Sequence, residues 1–247
     1  MPLSKRSFLR FAGTAAAGWA VAQSANAQAP ATAPAPAAAP AGPPKAPARP
    51  TADEAIKLLA EGNARFVSGK GSYSCRTPQD FSALAAAQYP FAVIVACADS
   101  RVGPEVMFDR GLGDLFVVRV AGNVVAGTGD PLKGSIEYGV AVLGAPLVVV
   151  LGHTQCGAVK AAIDQVEKPS KLPGAIAGLV DLVKPAVLDV KGKPGDKLEN
   201  ATVVNVQRQL KRLRDLDPII APGVKKGTVK VVGGVFDLAS GKVTMVA

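Results

Sequence analysis

Residues 147–166 read LVVVLGHTQCGAVKAAIDQV, and within them a strand-like run passes directly into a helix-like one. The run LVVVLG is almost continuously apolar rather than alternating, which is typical of a strand buried on both faces of a sheet. The run CGAVKAAIDQV that follows predicts a helix. Two further apolar runs, FAVIVAC at 91–97 and LFVVRV at 115–120, resemble the first. This alternation predicts right-handed βαβ units and a mainly parallel sheet.

The remaining patterns complete one fold class. DPLKGSIEYGVAVLG predicts a helix with Asp130 as N-cap and Pro131 at the first helical position, and longer helices are predicted over about 173–190 and 196–214. The closing TVKVVGGVFDLASGKVTMV has two β-rich runs around LASGK, which predicts a hairpin. We therefore expect an α/β fold with a mainly parallel β-sheet, flanking helices and a C-terminal β-hairpin.

The first residues have the composition of an export signal. MPLSKRSFLR is basic, FAGTAAAGWAVA is apolar but too short for a stable bilayer anchor, and SANAQ supplies small residues for cleavage after Ala27. We expect a secretory signal peptide over 1–27, no stable membrane span after processing, and a periplasmic or secreted protein. An uncleaved anchor is the alternative. SKRSFLR also resembles the twin-arginine export motif with Lys5 at its first arginine, which leaves the export route open.

The folded domain is expected to begin near Thr51. Residues 28–50 are almost wholly Ala and Pro, a composition that predicts a disordered linker because it buries too little surface to fold. The stretch TADE then offers a capping box in which Thr51 caps a helix and Glu54 reaches back to it. We expect a single folded domain over 51–247.

The positive charge does not indicate a nucleic-acid partner. The formal net charge is +9, but five of the 28 basic residues precede Thr51, which leaves 23 against 19 acidic residues in the folded part. The densest basic cluster, QRQLKRLR, has apolar residues between its charges, as on the solvated face of an amphipathic helix. We expect no nucleic acid to bind.

A candidate metal site lies where two of the predicted strands end. Cys97 ends the first strand, and His153 and Cys156 follow the third; His153 is the only histidine of the chain. The carboxyl ends of parallel strands meet at one edge of a sheet. Two thiolates and one imidazole with an open fourth position form the ligand set of a catalytic zinc. Cys75 has no partner motif and is interpreted as a free or incidental thiol.

Other readings of these residues remain open. A lone buried histidine or cysteine is usually an inert core residue, and an exported protein can oxidise Cys97 and Cys156 to a disulfide. A disulfide would leave His153, Asp99 and Arg101 without a role. Because Asp99 and Arg101 stand two and four residues after Cys97, an extended segment puts all three on one side. An ordinary ion pair is the alternative for these two.

Taken together, CADSRV, LFVVRVAGN, SIEYGV and GHTQCGA resemble the β-class carbonic anhydrases, whose pattern is C-x-D-x-R followed by H-x-x-C. The resemblance covers nearly everything from Thr51 to the end. It implies a β-carbonic anhydrase-like fold with one Zn²⁺ per subunit on Cys97, His153 and Cys156. The implied activity is reversible hydration of CO₂ to bicarbonate and a proton through zinc-bound hydroxide.

The resemblance also implies roles for residues around the metal. Asp99 would accept a hydrogen bond from the zinc-bound hydroxide, or occupy the fourth metal position itself, while Arg101 orients it. Gln88 would hydrogen-bond substrate, and Phe116 and Tyr138 would line the pocket.

Three further expectations complete the functional prediction. The backbone N–H of Gly157, at a predicted helix start, is placed to meet an anion such as bicarbonate. Because the active sites of the family lie at a dimer interface, a homodimer or a tetramer of dimers is implied. The rival functions are hydrolysis of carbon disulfide or carbonyl sulfide on the same fold, and a non-catalytic zinc-binding or redox module.

Overall fold

The computed structural model describes residues 48–72, 77–125 and 131–246. The predicted signal peptide, all but the last residues of the predicted linker, Cys75 and Asp130 lie outside these ranges, and the statements about them stay predictions. The strands are β1 (Ala92–Ala96), β2 (Leu115–Arg119), β3 (Leu147–His153), β4 (Lys230–Phe236) and β5 (Val243–Val246). The helices are α1 (Ala52–Val67), α2 (Pro78–Leu84), α3 (Pro104–Met107), α4 (Pro131–Ala141), α5 (Gly157–Glu167), α6 (Ile176–Asp189), α7 (Lys197–Arg214) and α8 (Ile220–Lys225).

The strands form one sheet in the order β2-β1-β3-β4-β5. β1 pairs in parallel with both β2 and β3, and β3 pairs in parallel with β4. Among the described strands, only β5 runs antiparallel; it lies beside β4, as the predicted C-terminal hairpin requires. The predicted fold class is therefore confirmed. β2 lies at one edge of the sheet and β5 at the other.

The continuous apolar strands are explained by burial on both faces. Along β1, Ala92, Ile94 and Ala96 pack into a cluster with residues of α1 and α3 on one face. Val93 and Val95 point to the opposite face, into a cluster with residues of α4, α7 and α8. A strand with helices on both sides has no solvent-facing positions, so its sequence does not alternate.

The short helices were not predicted from the sequence, whereas the long helices were. The capping box of Thr51 and Glu54 opens α1 as expected. α2, α3 and α8 have between four and seven residues, too few to show a helical apolar period. In the described part of the chain, no helix combines the length and apolar character needed to cross a membrane.

Helix α7 packs unusually close to the sheet because glycines line its contact. A Cβ added to Gly152 of β3 would lie 2.6 Å from a methyl carbon of Val206, and one added to Gly233 of β4 would lie 2.7 Å from another. Only glycine leaves room for Val206 at this distance. The buried face of α7 is thereby held next to β4 and to β3, which ends at His153.

Candidate metal centre

The predicted metal ligands meet at the carboxyl edge of the sheet. Cys97 follows the last residue of β1, His153 is the last residue of β3, and Cys156 is the N-cap of α5. The Sγ atoms of Cys97 and Cys156 and a ring nitrogen of His153 all lie within 4.8 Å of one another, and all three residues are buried. The two cysteines are not joined by a disulfide. The three side chains are close enough to share one ion.

The imidazole of His153 is oriented with its free nitrogen toward the thiols. Nδ1 lies 2.9 Å from the carbonyl oxygen of Thr154. A carbonyl oxygen can only accept a hydrogen bond, so Nδ1 carries the proton and Nε2 presents a lone pair. Nε2 is buried and has no hydrogen-bond partner among the described residues. An unpaired buried acceptor is costly unless something binds it, and a metal ion would do so.

Cys97 is poised to be a thiolate. The neighbouring Cys156 thiol donates a hydrogen bond to it and lowers its pKa well below the ordinary value, against the effect of burial. The backbone N–H groups of Gly122 and Asp99 act in the same direction. The N–H of Gly122 lies 3.2 Å from Sγ. Hydrogen bonds to the ionised form favour that form.

Cys156 shares a hydrogen bond with Cys97. Its hydrogen bond to Cys97 and its burial raise the pKa of the Cys156 thiol, while the backbone N–H groups of Val159 and Ala158 at the start of α5 lower it. A cation between the two sulfurs would take the place of this shared proton, because metals bind the thiolate form.

Asp99 and Arg101 form an ion pair beside the cluster. Arg101 Nε donates to Asp99 Oδ1 at 2.9 Å and Nη2 donates to Oδ2 at 2.7 Å, and the backbone N–H of Arg101 reaches Oδ1 at 3.0 Å. These bonds hold the pKa of the Asp99 carboxyl well below its usual range. Asp99 Oδ2 also lies 3.9 Å from His153 Nε2. An ionised carboxylate therefore faces the place where the three ligand atoms converge.

Arg119 supports this loop and was missed by the sequence analysis. From the end of β2 it donates to the backbone oxygen of Cys97 at 3.0 Å and to that of Asp99 at 2.6 Å. The run LFVVRV suggested only a buried strand, although a charged residue within it was a signal. The contact follows from the register, in which Arg119 lies opposite Ala96.

Three of the predicted site residues lie away from the cluster within one chain. Phe116 pairs in register with Val93, four residues before Cys97, or about 13 Å along the strand. The ring of Tyr138 lies 6.1 Å from that of Phe116. Gln88 is exposed and precedes β1, at the opposite end of the sheet from Cys97.

Gly157, in contrast, is exposed and begins α5 directly after Cys156. Its N–H therefore stands at the start of α5, beside the cluster.

The family model described as carbonic anhydrase matches residues 92–243, which contain the three candidate metal ligands together with Asp99 and Arg101. The chain belongs to the carbonic anhydrase family. It is 41% identical over 194 residues to a carbonic anhydrase of Mycolicibacterium smegmatis, an alignment covering 77% of this chain and 91% of that protein.

Solved β-carbonic anhydrases share the fold. The β-carbonic anhydrase CcaA is similar at 28% identity with a TM-score of 0.61, covering 77% of this chain and 94% of that one. A tetrameric β-carbonic anhydrase from Sordaria macrospora has a TM-score of 0.62 at 24% identity, covering 78% of this chain and 98% of that one. The resemblance drawn from the sequence motifs is confirmed at the level of the family.

Proposed function

We propose that the chain is a zinc-dependent carbonic anhydrase that interconverts CO₂ and bicarbonate. The observation that carries this proposal is the placement of an ionised carboxylate, Asp99 Oδ2, 3.9 Å from the unpaired Nε2 of His153. Metal storage or sensing needs the three ligands only, whereas hydration also needs a group that accepts a proton or hydrogen bond next to them.

The ligand set fits zinc. Cys97, His153 and Cys156 supply two thiolates and a neutral imidazole, and three protein ligands with one open position are typical of catalytic zinc. When bound, Zn²⁺ lowers the pKa of a coordinated water to near neutrality. The two thiolates balance its charge, and the protein must also orient the reactants.

Asp99 and Arg101 perform that orientation in the proposed mechanism. Two hydrogen bonds from the Arg101 side chain fix the plane of the Asp99 carboxylate, and its low pKa keeps it an acceptor across the neutral range. Asp99 can therefore accept a hydrogen bond from a group held at the open ligand position. This bond would direct the lone pair of that group toward CO₂. The N–H of Gly157 at the start of α5 offers the bicarbonate product a donor.

We propose that a second copy of the chain completes the substrate pocket. Gln88, Phe116 and Tyr138 lie at the far end of the sheet from their own Cys97, so they reach a metal only if it belongs to another subunit. β2 is an edge strand, and a groove of about 680 Å³ beside it is lined by apolar residues, including Val117, Leu132, Leu179 and Leu182. Unpaired strand edges next to apolar surface favour symmetric self-association. The tetrameric relative from Sordaria macrospora is consistent with this assembly.

Stopped-flow CO₂ hydration with metal analysis of the same samples tests the function. We expect one zinc per chain in both the wild type and Asp99→Asn, with kcat/KM at least about 100-fold lower in the variant. Asp189→Asn is the matched control, because Asp189 is an exposed carboxylate that pairs with Arg208 on the surface. This variant should keep both zinc and activity.

Wild-type protein with full zinc and no CO₂ hydration would overturn the proposal. Turnover of carbonyl sulfide or carbon disulfide by the same samples would then support the hydrolase instead.

A further inference from the structure

Helix α7 presents three polar side chains to a single short backbone segment. Asn205 Nδ2 donates to the Gly122 carbonyl oxygen at 2.9 Å, and Gln209 Oε1 accepts from the Val125 N–H at 2.9 Å. Arg212 Nη1 donates to the Val125 carbonyl oxygen at 3.1 Å. Residues 205, 209 and 212 share one helix face by their spacing. We call residues 122–125 the clamped segment.

The two amides are linked to each other as well as to the clamped segment. Gln209 Nε2 donates to Asn205 Oδ1 at 3.0 Å, and both side chains are 1% exposed. A buried polar network of this kind costs free energy unless every member is satisfied, so its geometry is tightly specified. Here the two amides bond to each other and to the clamped segment, and Gln209 Oε1 also accepts from Arg212 Nη1 at 3.4 Å.

The clamped segment has a backbone that needs support. Gly122 has a φ of +73° and Asn123 a φ of +45°, two consecutive left-handed residues. Asparagine adopts this conformation more easily than other non-glycine residues, but at a cost in free energy that the surroundings must offset. The result of this conformation is that the Gly122 N–H points at Cys97 Sγ, 3.2 Å away. The oxygen held by Asn205 and the N–H that faces the thiolate thus belong to the same residue, Gly122.

A hydrogen bond to a metal-bound thiolate withdraws electron density from the sulfur. Thiolate ligands otherwise neutralise the charge of a Cys₂His zinc and weaken its Lewis acidity. Hydrogen bonds from outside the ligand shell tune such sites. Resting on the proposed zinc site, we propose that Asn205 and Gln209 are positioning residues that act through the clamped segment to hold the Gly122 N–H on Cys97 and so weaken its donation to the metal.

The test uses the full chain loaded with Co²⁺, which reports thiolate donation through its sulfur-to-metal charge-transfer absorption. Asn205→Leu removes the bond to the Gly122 oxygen at nearly constant volume. We expect its charge-transfer band to move to longer wavelength, because a sulfur without its hydrogen bond is the stronger donor. We also expect metal affinity, measured by competition with a chelator, to change by about 10-fold.

Thr202→Val is the matched control on the same helix. Thr202 is 3% exposed, and among the described residues its hydroxyl bonds only to the Leu198 carbonyl within α7. This variant perturbs the buried face of α7 without touching the clamped segment, so its band should match the wild type. Gln209→Met removes the acceptor of the Val125 N–H at the other end of the segment. It replaces Asn205→Leu as the test if that variant does not fold. It should shift the band in the same direction.

The outcomes separate this inference from the proposed function. A wild-type Co²⁺ protein without any thiolate charge-transfer band would show that the metal site itself is wrong. A wild-type band that stays unchanged in Asn205→Leu and Gln209→Met would leave the site intact and overturn the positioning role. Equal shifts in Thr202→Val would also overturn it, since any disturbance of α7 would then suffice.

Discussion

The carboxylate of Asp99 is fixed in position by its hydrogen bonds beside the candidate metal site. Both oxygens accept hydrogen bonds from the Arg101 side chain, and the same Oδ2 faces His153. The bond from Arg101 is the largest cause of the low pKa of Asp99, and it outweighs the opposing effect of partial burial. The residue is therefore ionised wherever the protein is folded and the pH is near neutral.

This depressed pKa has a consequence for stability. A carboxyl whose pKa is lower in the folded state stabilises the fold above its unfolded pKa, about 3.9, and loses that contribution as the pH falls further. For the metal-free protein, we expect the difference in free energy of unfolding between wild type and Asp99→Asn to stay constant from about pH 8 to 5. It should shrink below about pH 4. Urea unfolding at stepped pH values measures it.

The matched background for this measurement is Arg101→Met, which removes the cause of the low pKa. In that background, Asp99→Asn should show much less dependence on pH. A wild-type difference that grew on acidification would have the wrong sign and would contradict the ion pair as the cause.

At the scale of elements, α4 shows how closely a helix can approach the sheet. A Cβ on Gly139 would lie 2.5 Å from Val93 Cγ2 and 3.2 Å from Phe116 Cδ1. Gly134, five positions earlier in the same helix, has nothing within 4 Å of its Cβ position. One helix therefore contains a glycine that packing requires and another that it does not.

Alanine substitutions at these two glycines should have opposite effects. Gly139→Ala forces α4 away from β1 and should lower the free energy of unfolding by about 1–3 kcal/mol. Gly134→Ala should raise it by up to about 1 kcal/mol, because alanine has the higher helix propensity. Urea unfolding of both variants checks this. Destabilisation by both would mean that the helix backbone, rather than the contact with Val93, is sensitive.

The elements also show where sequence patterns suffice. β1 and β3 are buried on both faces, so their uninterrupted apolar runs identified them within about one residue. The short helix α3 carries no apolar period and was not predicted. The contact of Asn205 with Gly122 joins residues 83 positions apart, and no local pattern encodes such a pair.

At the scale of the whole molecule, the metal cluster and the expected substrate-contacting residues occupy opposite ends of one sheet. Cys97 follows β1, whereas Gln88 precedes it and Phe116 pairs near its start. A site that uses both ends requires two chains.

Subunit complementation tests this arrangement. Asp99→Asn and Gln88→Leu chains, each impaired alone, should regain activity when they are co-expressed and purified together. In a mixed dimer, one site has the intact Asp99 of one chain and the intact Gln88 of the other. Random pairing predicts about a quarter of wild-type activity, measured by stopped-flow CO₂ hydration.

Co-expression of Asp99→Asn with Arg101→Met is the control for this experiment. Both changes affect the metal end of the same chain, so every site of the mixed dimer keeps one defect and no activity should return. Recovery in this control, or none in the test pair, would contradict a pocket shared between chains.

The sequence by itself determined the fold class, the family and the three candidate metal ligands. Each can be read from neighbouring residues. Strands buried on both faces have continuous apolar runs, and the ligands stand directly after a strand or before a helix. Only the tertiary structure decided which nitrogen of His153 is free, how Arg119 and Asn205 support the Cys97 loop, and that Gln88 lies far from its own Cys97. These features depend on strand register and on contacts between distant segments. Such contacts arise when the whole chain packs together, and they produce no local sequence pattern.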